Sequence, residues 1–185
     1  MILNLNRPFV ETLKEKSLQY KFGRKDKYAA DFYYVGPFYH LAFKNVKRII
    51  FLDATDLLFL SDIKLLNEMF DNFSEENVVG LGLDLSPHYY ENLKSYRMDH
   101  PQTKLGAPGI FQGFNMGVVL YDLEAMRKSK KYKKYLELSR TVEMIEKYRF
   151  HLTLAFQDWF TEVGFESPEL FYNLPYTYTI WWWFC

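Results

Sequence analysis

Three short stretches of this sequence carry side chains in patterns that chemistry can use. The first is Leu52-Asp53-Ala54-Thr55-Asp56-Leu57, which follows the apolar run Ile49-Ile50-Phe51-Leu52. Closely spaced carboxylates at the end of a strand offer hard oxygen ligands to Mn²⁺ or Mg²⁺, and such a cation can clamp a diphosphate. The same spacing also suits a strand-to-turn junction where Asp side chains accept backbone amides. The second stretch is Gly113-Phe114-Asn115-Met116-Gly117. Glycines on both sides of Asn115 admit close approach of a ligand, and an amide gives a hydroxyl both a donor and an acceptor. An ordinary strand with a bulge reads the same way. The third is Gln157-Asp158-Trp159-Phe160. An amide and a carboxylate can hydrogen-bond sugar hydroxyls while Trp159 stacks on the ring. Equally, Gln157 and Asp158 are residues that a helix start favours through its dipole.

Each group needs an element to position it. Arg48 to Leu52 reads as a buried strand delivering Asp53 and Asp56 at its C-terminal end, where open α/β sheets place ligands. Ser61 is expected to cap a helix over 62 to 73, with Ile63, Leu66, Phe70 and Phe73 on one face. Val78 to Leu83 is the next strand, its glycines signalling close backbone approach. Strand, helix and strand in this order predict a βαβ unit and a mostly parallel sheet. Residues 88 to 98 read as a helix, and 99 to 112 as a long loop. Gly113 to Tyr121 is a third strand, and Asp122 caps a helix running to about Ser139. A helix is expected over 141 to 149 and a short strand over 151 to 154. Gln157 opens a helix ending near Gly164, and 169 to 174 is a last strand. Residues 1 to 34 show no clean periodicity. Pro37 opens a short helix to Lys44.

Composition narrows the field. The 185 residues fit one domain, and a hydrophobic content of 49% supplies a core. Net charge is zero, with no long run of one sign, which argues against a nucleic-acid partner. Cys185 is the only cysteine, so no internal disulfide is possible. No run of about 18 apolar residues marks a transmembrane helix, and the first residues lack the pattern of a signal peptide.

The three stretches together resemble retaining glycosyltransferases of family 8. The family's Leu-Asp-x-Asp-Leu strand holds Mn²⁺ and the sugar nucleotide, and this chain carries one more residue between Asp53 and Asp56. The run from Gly113 to Arg127 resembles the family's Gly-Phe-Asn-x-Gly-Val-x-Leu segment and the helix after it, where the Asn lies by the donor sugar. Gln157-Asp158-Trp159 resembles the end of Gly-Asp-Gln-Asp-aromatic, with Ala155 and Phe156 in place of the Gly and first Asp. The resemblance covers roughly residues 35 to 180 of a single domain over 1–185. Within the family, the xylosyltransferases are the most similar.

The resemblance implies a GT-A-type nucleotide-sugar-binding domain truncated at both ends. It implies transfer of xylose from UDP-xylose, with retention, to a xylosyl-glucose glycan on EGF-like repeats. Metal binding falls to Asp53 and Asp56, with Mn²⁺ or Mg²⁺ as cofactor. Substrate binding falls to Asn115, Gly117 and Trp159, and catalysis to Gln157 and Asp158. The family's setting is the ER or Golgi lumen. Its third metal ligand, a C-terminal His, has no counterpart here, where the sequence ends Trp181-Trp182-Trp183-Phe184-Cys185. Two other readings stand beside this one. One is a catalytically degenerate or fragmentary member that binds sugar or a protein partner. The other is an α/β interaction domain with incidental Asp residues.

Overall fold

The computed structural model describes residues 6–18, 31–53, 57, 60–107, 110–149 and 154–178. Helix α1 (Arg7–Leu18) comes first. Its Pro8 sits in the opening turn, where a missing N–H costs nothing. Phe9, Val10 and Leu13 are buried from this helix, so the N-terminal stretch that lacks clean periodicity supplies core. A 3₁₀ turn at Gly36–Phe38 leads into the short α2 (Tyr39–Ala42).

Strand β1 (Arg48–Leu52) has the expected bounds. Helix α3 (Ile63–Glu68) follows and tightens into a 3₁₀ turn at Met69–Asn72. Its cap is Asp62, whose carboxylate accepts the N–H of Lys64 at 2.9 Å, and not Ser61. Strand β2 (Val79–Leu83) leads to the paired short helices α4 (His88–Asn92) and α5 (Lys94–Asp99).

Strand β3 (Phe114–Asp122) ends on Asp122, which caps α6 (Leu123–Lys128) as expected by accepting the N–H of Ala125. The helix stops short of Ser139, because Ser129 breaks it and caps a new one, α7 (Lys130–Tyr135). Helices α8 (Leu138–Tyr148) and α9 (Phe156–Glu166) and strand β4 (Phe171–Asn173) complete the order. Gly164 lies inside α9 and does not end it. A Cβ there would come within 2.5 Å of the Phe114 ring, so glycine lets the helix seat against β3. The strand expected over 151 to 154 falls largely outside the described residues.

The α/β class holds, and the pairing is mixed. The strand order is β1-β3-β2-β4. β1 and β2 run in the same direction, but β3 lies between them, antiparallel to both. β4 adds parallel to β2. Three of the four strands thus point one way, while the direct β1–β2 neighbourhood of a βαβ unit is absent. The C-terminal ends of β1, β2 and β4 and the N-terminal end of β3 therefore share one edge of the sheet.

Candidate functional site

That shared edge collects the polar residues of interest, and a break in the sheet shapes it. Leu81 of β2 pairs with Val119, yet the next residue, Gly82, pairs with Asn115. Residues 116 to 118 of β3 therefore bulge away from β2. A bulge strands backbone groups, and stranded N–H groups must find other partners. Two side-chain amides supply them. Gln157 Oε1 accepts the N–H of Met116 at 3.2 Å, and Asn115 Oδ1 accepts the N–H of Gly117 at 2.9 Å. The Gly117 carbonyl in turn accepts the N–H of Asp53 at 2.9 Å. Asp53 thus sits half-buried, just past β1, opposite the bulge. The Gly-Phe-Asn-Met-Gly run leads into the bulge, which joins four of the expected site residues, Asp53, Asn115, Gly117 and Gln157.

Helix α9 is fastened to this bulge. Besides the Gln157 bond, Thr161 Oγ1 accepts the N–H of Phe114 at 3.0 Å. The helix N-terminus carries the Gln157 and Asp158 side chains, and the structure treats them differently. Gln157 is partly exposed. Asp158 is fully buried, with Oδ1 accepting from Tyr89 at 3.0 Å and Oδ2 from the N–H of Leu154 at 2.7 Å. The expected sugar contact through the Asp158 carboxylate is corrected accordingly: both oxygens serve the interior. Trp159 is corrected as well. Its ring is fully buried beside Phe9, Tyr132 and Phe160, and its Nε1 donates to Thr141 at 3.1 Å, so no face remains for a sugar.

Two residues at this edge carry no signal in their local sequence. Tyr89 is fully buried, donates to Asp158 and accepts from Gln157 Nε2 at 3.2 Å. Burial pushes its phenol well above the ordinary range, with the Asp158 charge adding to the shift. Asp84, just past β2, accepts the N–H of Ser86 at 2.7 Å, and its own N–H donates to Gly113. The end of a second strand running parallel to β1 was the only cue to Asp84; nothing near Tyr89 pointed to it. Gly113, expected to admit a ligand, admits Tyr89 instead: its φ is +126°, and a Cβ there would fall 2.2 Å from that ring.

Asp53 offers a carboxylate at the rim, a donor suited to a hard cation. Among the described residues no three His, Cys, Asp or Glu side chains converge to hold a metal, and Asp56 lies outside them. A surface cleft of about 530 Å³ lies at the opposite end of the sheet, lined by Val78, Asp122 and Lys131 among others. Its Asp122 pairs with Arg48 and its Lys131 with Glu169, so these charges are spent on the protein itself.

Comparison with known proteins points the same way as this edge. A model of glycosyl transferase family 8 matches residues 3–174, a span that starts well before the expected residue 35. Mouse xyloside xylosyltransferase 1 is 40% identical over 146 residues, which is 75% of this chain and 37% of that protein. Its human counterpart is 38% identical over the same shares. The human xylosyl- and glucuronyltransferase LARGE1 is 34% identical over 131 residues, 71% of this chain and 16% of that protein. The crystal structure of mouse xyloside xylosyltransferase 1, apo form, superposes with a TM-score of 0.78 at 35% identity, covering 91% of this chain and 61% of that one. The chain spans 37% of the length of the two xyloside xylosyltransferases.

Proposed function

This chain belongs to glycosyl transferase family 8, with a sheet of the GT-A type, and we propose that it transfers xylose from UDP-xylose to a sugar hydroxyl. The observation that carries the reading is the convergence of Asp53, Asn115 and Gln157 on one bulge of β3, in a chain 40% identical to a xyloside xylosyltransferase. The acceptor in this reading is a xylosyl-glucose glycan on EGF-like repeats, and the setting is the ER or Golgi lumen. Transfer proceeds with retention.

The chain's own residues do three things. Asp53, together with Asp56, holds Mn²⁺ or Mg²⁺. That ion supplies electrostatic stabilisation to a leaving diphosphate. Asn115 stands on the bulge itself, its side-chain oxygen accepting the N–H of Gly117 and so holding the backbone that faces Asp53. Gln157 has one N–H and one oxygen lone pair beyond those used by Tyr89 and Met116, and these suit a sugar hydroxyl. Asp158 serves as the buried support of Gln157 and not as a direct contact. Preorganised polar groups of this kind act most strongly where water is excluded.

A second reading has its own support. Phe156 stands where the family motif has an acidic residue, and it is buried. A member that binds UDP-sugar without turning it over fits that substitution. The deciding assay is UDP release from UDP-xylose in Mn²⁺, with and without a xylosyl-glucose acceptor. Acceptor-dependent release supports the transferase. Binding of UDP by calorimetry without release supports the binder, and neither result sinks both readings.

A further inference from the structure

We propose that Tyr89 is a positioning residue that fixes which way round the Gln157 side-chain amide is held. The inference rests on the reading that Gln157 faces the transferred sugar. The argument is one of proton order. The N–H of Leu154 donates to Asp158 Oδ2, and the second oxygen of Asp158 faces the Tyr89 hydroxyl at 3.0 Å. A carboxylate accepts only, so the Tyr89 proton points at Asp158. The Tyr89 oxygen is then left to accept, and it takes the Gln157 amide nitrogen at 3.2 Å. The Thr161 hydroxyl, which accepts from Phe114, faces the same oxygen. With its nitrogen toward Tyr89, Gln157 must turn its oxygen to the N–H of Met116. The orientation of the amide is therefore set at both ends, by a backbone donor on β3 and by a phenol on α4.

Three further features mark Tyr89 as built for this role. Its hydroxyl is fully enclosed, so no water competes for its lone pairs. Its ring fills the space left by Gly113, the residue just before β3. Its neighbour His88 stands edge-on to it, with Nε2 3.8 Å from Asp158 Oδ1 and 2.9 Å from Asn92 Nδ2. The loop and helix after β2 thereby control a side chain on α9, which is 68 residues away in sequence. If the amide turned over, its NH₂ would meet the Met116 N–H donor to donor, and the lone pair offered to a sugar would become a hydrogen.

Two variants test this in the whole chain. Tyr89→Phe keeps the ring in the Gly113 slot and removes only the hydroxyl. Asp158→Asn is nearly isosteric, but its oxygen must face the Leu154 N–H, so its NH₂ faces Tyr89 and reverses the proton order. Each variant is expected to shift the Gln157 side-chain NH₂ signals in a ¹⁵N–¹H spectrum. Each should also speed hydrogen exchange at Met116 by about tenfold, without broad loss of dispersion. In turnover with UDP-xylose, Tyr89→Phe lowers kcat by roughly tenfold and moves KM by less than about twofold, the pattern of a supporting group and not of lost binding. Wild-type Gln157 signals and Met116 exchange in either variant would overturn the proposal. Absence of turnover in the parent chain would instead count against the transferase reading, and the spectra would still decide the role of Tyr89.

Discussion

The ring of Phe156 lies 3.0 Å from the point where a Cβ on Gly36 would stand. It also meets Phe51 of β1 edge-on at 6.4 Å between centroids. A residue at the expected substrate edge thus belongs to the core, packed between the segment before α2 and the strand that delivers Asp53. Replacing Phe156 with Asp, the residue of the family motif, is expected to damage the fold and not to restore a sugar contact. Removing a buried ring costs about 3–5 kcal/mol, and an unpaired buried carboxylate adds to that. Thermal unfolding is the measurement. A variant with an unchanged Tm and tighter UDP binding would show that the site accepts an acid there.

Ala155 precedes α9 with φ 55° and ψ −123°, a backbone conformation that L residues rarely adopt. Glycine stands at this position in the family motif, and the conformation suits glycine. Strain of this kind costs on the order of 1–3 kcal/mol, against roughly 0.5–1 kcal/mol for the greater freedom glycine loses on folding. Ala155→Gly is therefore expected to stabilise the chain by about 1 kcal/mol. A higher urea midpoint with an unchanged slope would register it, and a lower midpoint would contradict the strain.

Which features the sequence disclosed follows from what a local pattern can report. β1 and the Asp122 cap were legible because their signals, an apolar run and an Asp before a helical stripe, sit within a few residues. Helix α1 was hidden because Phe9, Val10 and Leu13 are spaced among Lys and Glu without an extended stripe. The insertion of β3 between β1 and β2 is a pairing across many residues, and no local period encodes it. Polarity marked Asp158 as a contact, but its burial depends on Tyr89 and the Leu154 N–H, which only the folded chain brings to it. Close approach is found at two of the glycines from which it was expected, Gly113 and Gly80. The approaching group is a ring of the protein at Gly113, as it is at Gly80, where Phe73 lies 2.9 Å from a Cβ position.

Two buried titratable groups should make stability depend on pH in opposite senses. His40 is buried, and desolvation chiefly lowers its pKa from 6.5 to about 4, with Arg127 and Lys133 nearby pushing the same way. The unfolded chain binds a proton there first, so this contribution is full above pH 6.5 and falls away as pH drops toward 4, by about 3 kcal/mol in all. Glu162 is fully buried with neither oxygen hydrogen-bonded, and desolvation raises its pKa well above 4.5, with Asp158 and Glu166 adding to the shift. Its contribution is full below 4.5 and shrinks above that by about 1.4 kcal/mol per pH unit until the carboxyl ionises in the folded chain. Glu162→Gln should therefore flatten the alkaline side of the stability profile, and His40→Gln the acid side. Urea titrations at pH 5, 6.5 and 8 separate the two, and parallel profiles for parent and Glu162→Gln would refute the buried-acid account.

Asp53 gives the most direct access to the proposed cation. Its backbone N–H already bonds the Gly117 carbonyl, so Asp53→Asn leaves the end of β1 tied to the bulge. The substitution keeps the shape and removes the charge that a hard cation requires. UDP affinity measured by calorimetry in Mn²⁺ is expected to fall by at least about tenfold, with Tm nearly unchanged, since lost support around a metal typically costs on the order of 10–100-fold. Chelator added to the parent chain should bring its UDP affinity down to that of the variant, and added Mn²⁺ should rescue the parent alone. If UDP binds the parent equally well in chelator, the nucleotide is held without a cation, and the metal role proposed for Asp53 is wrong.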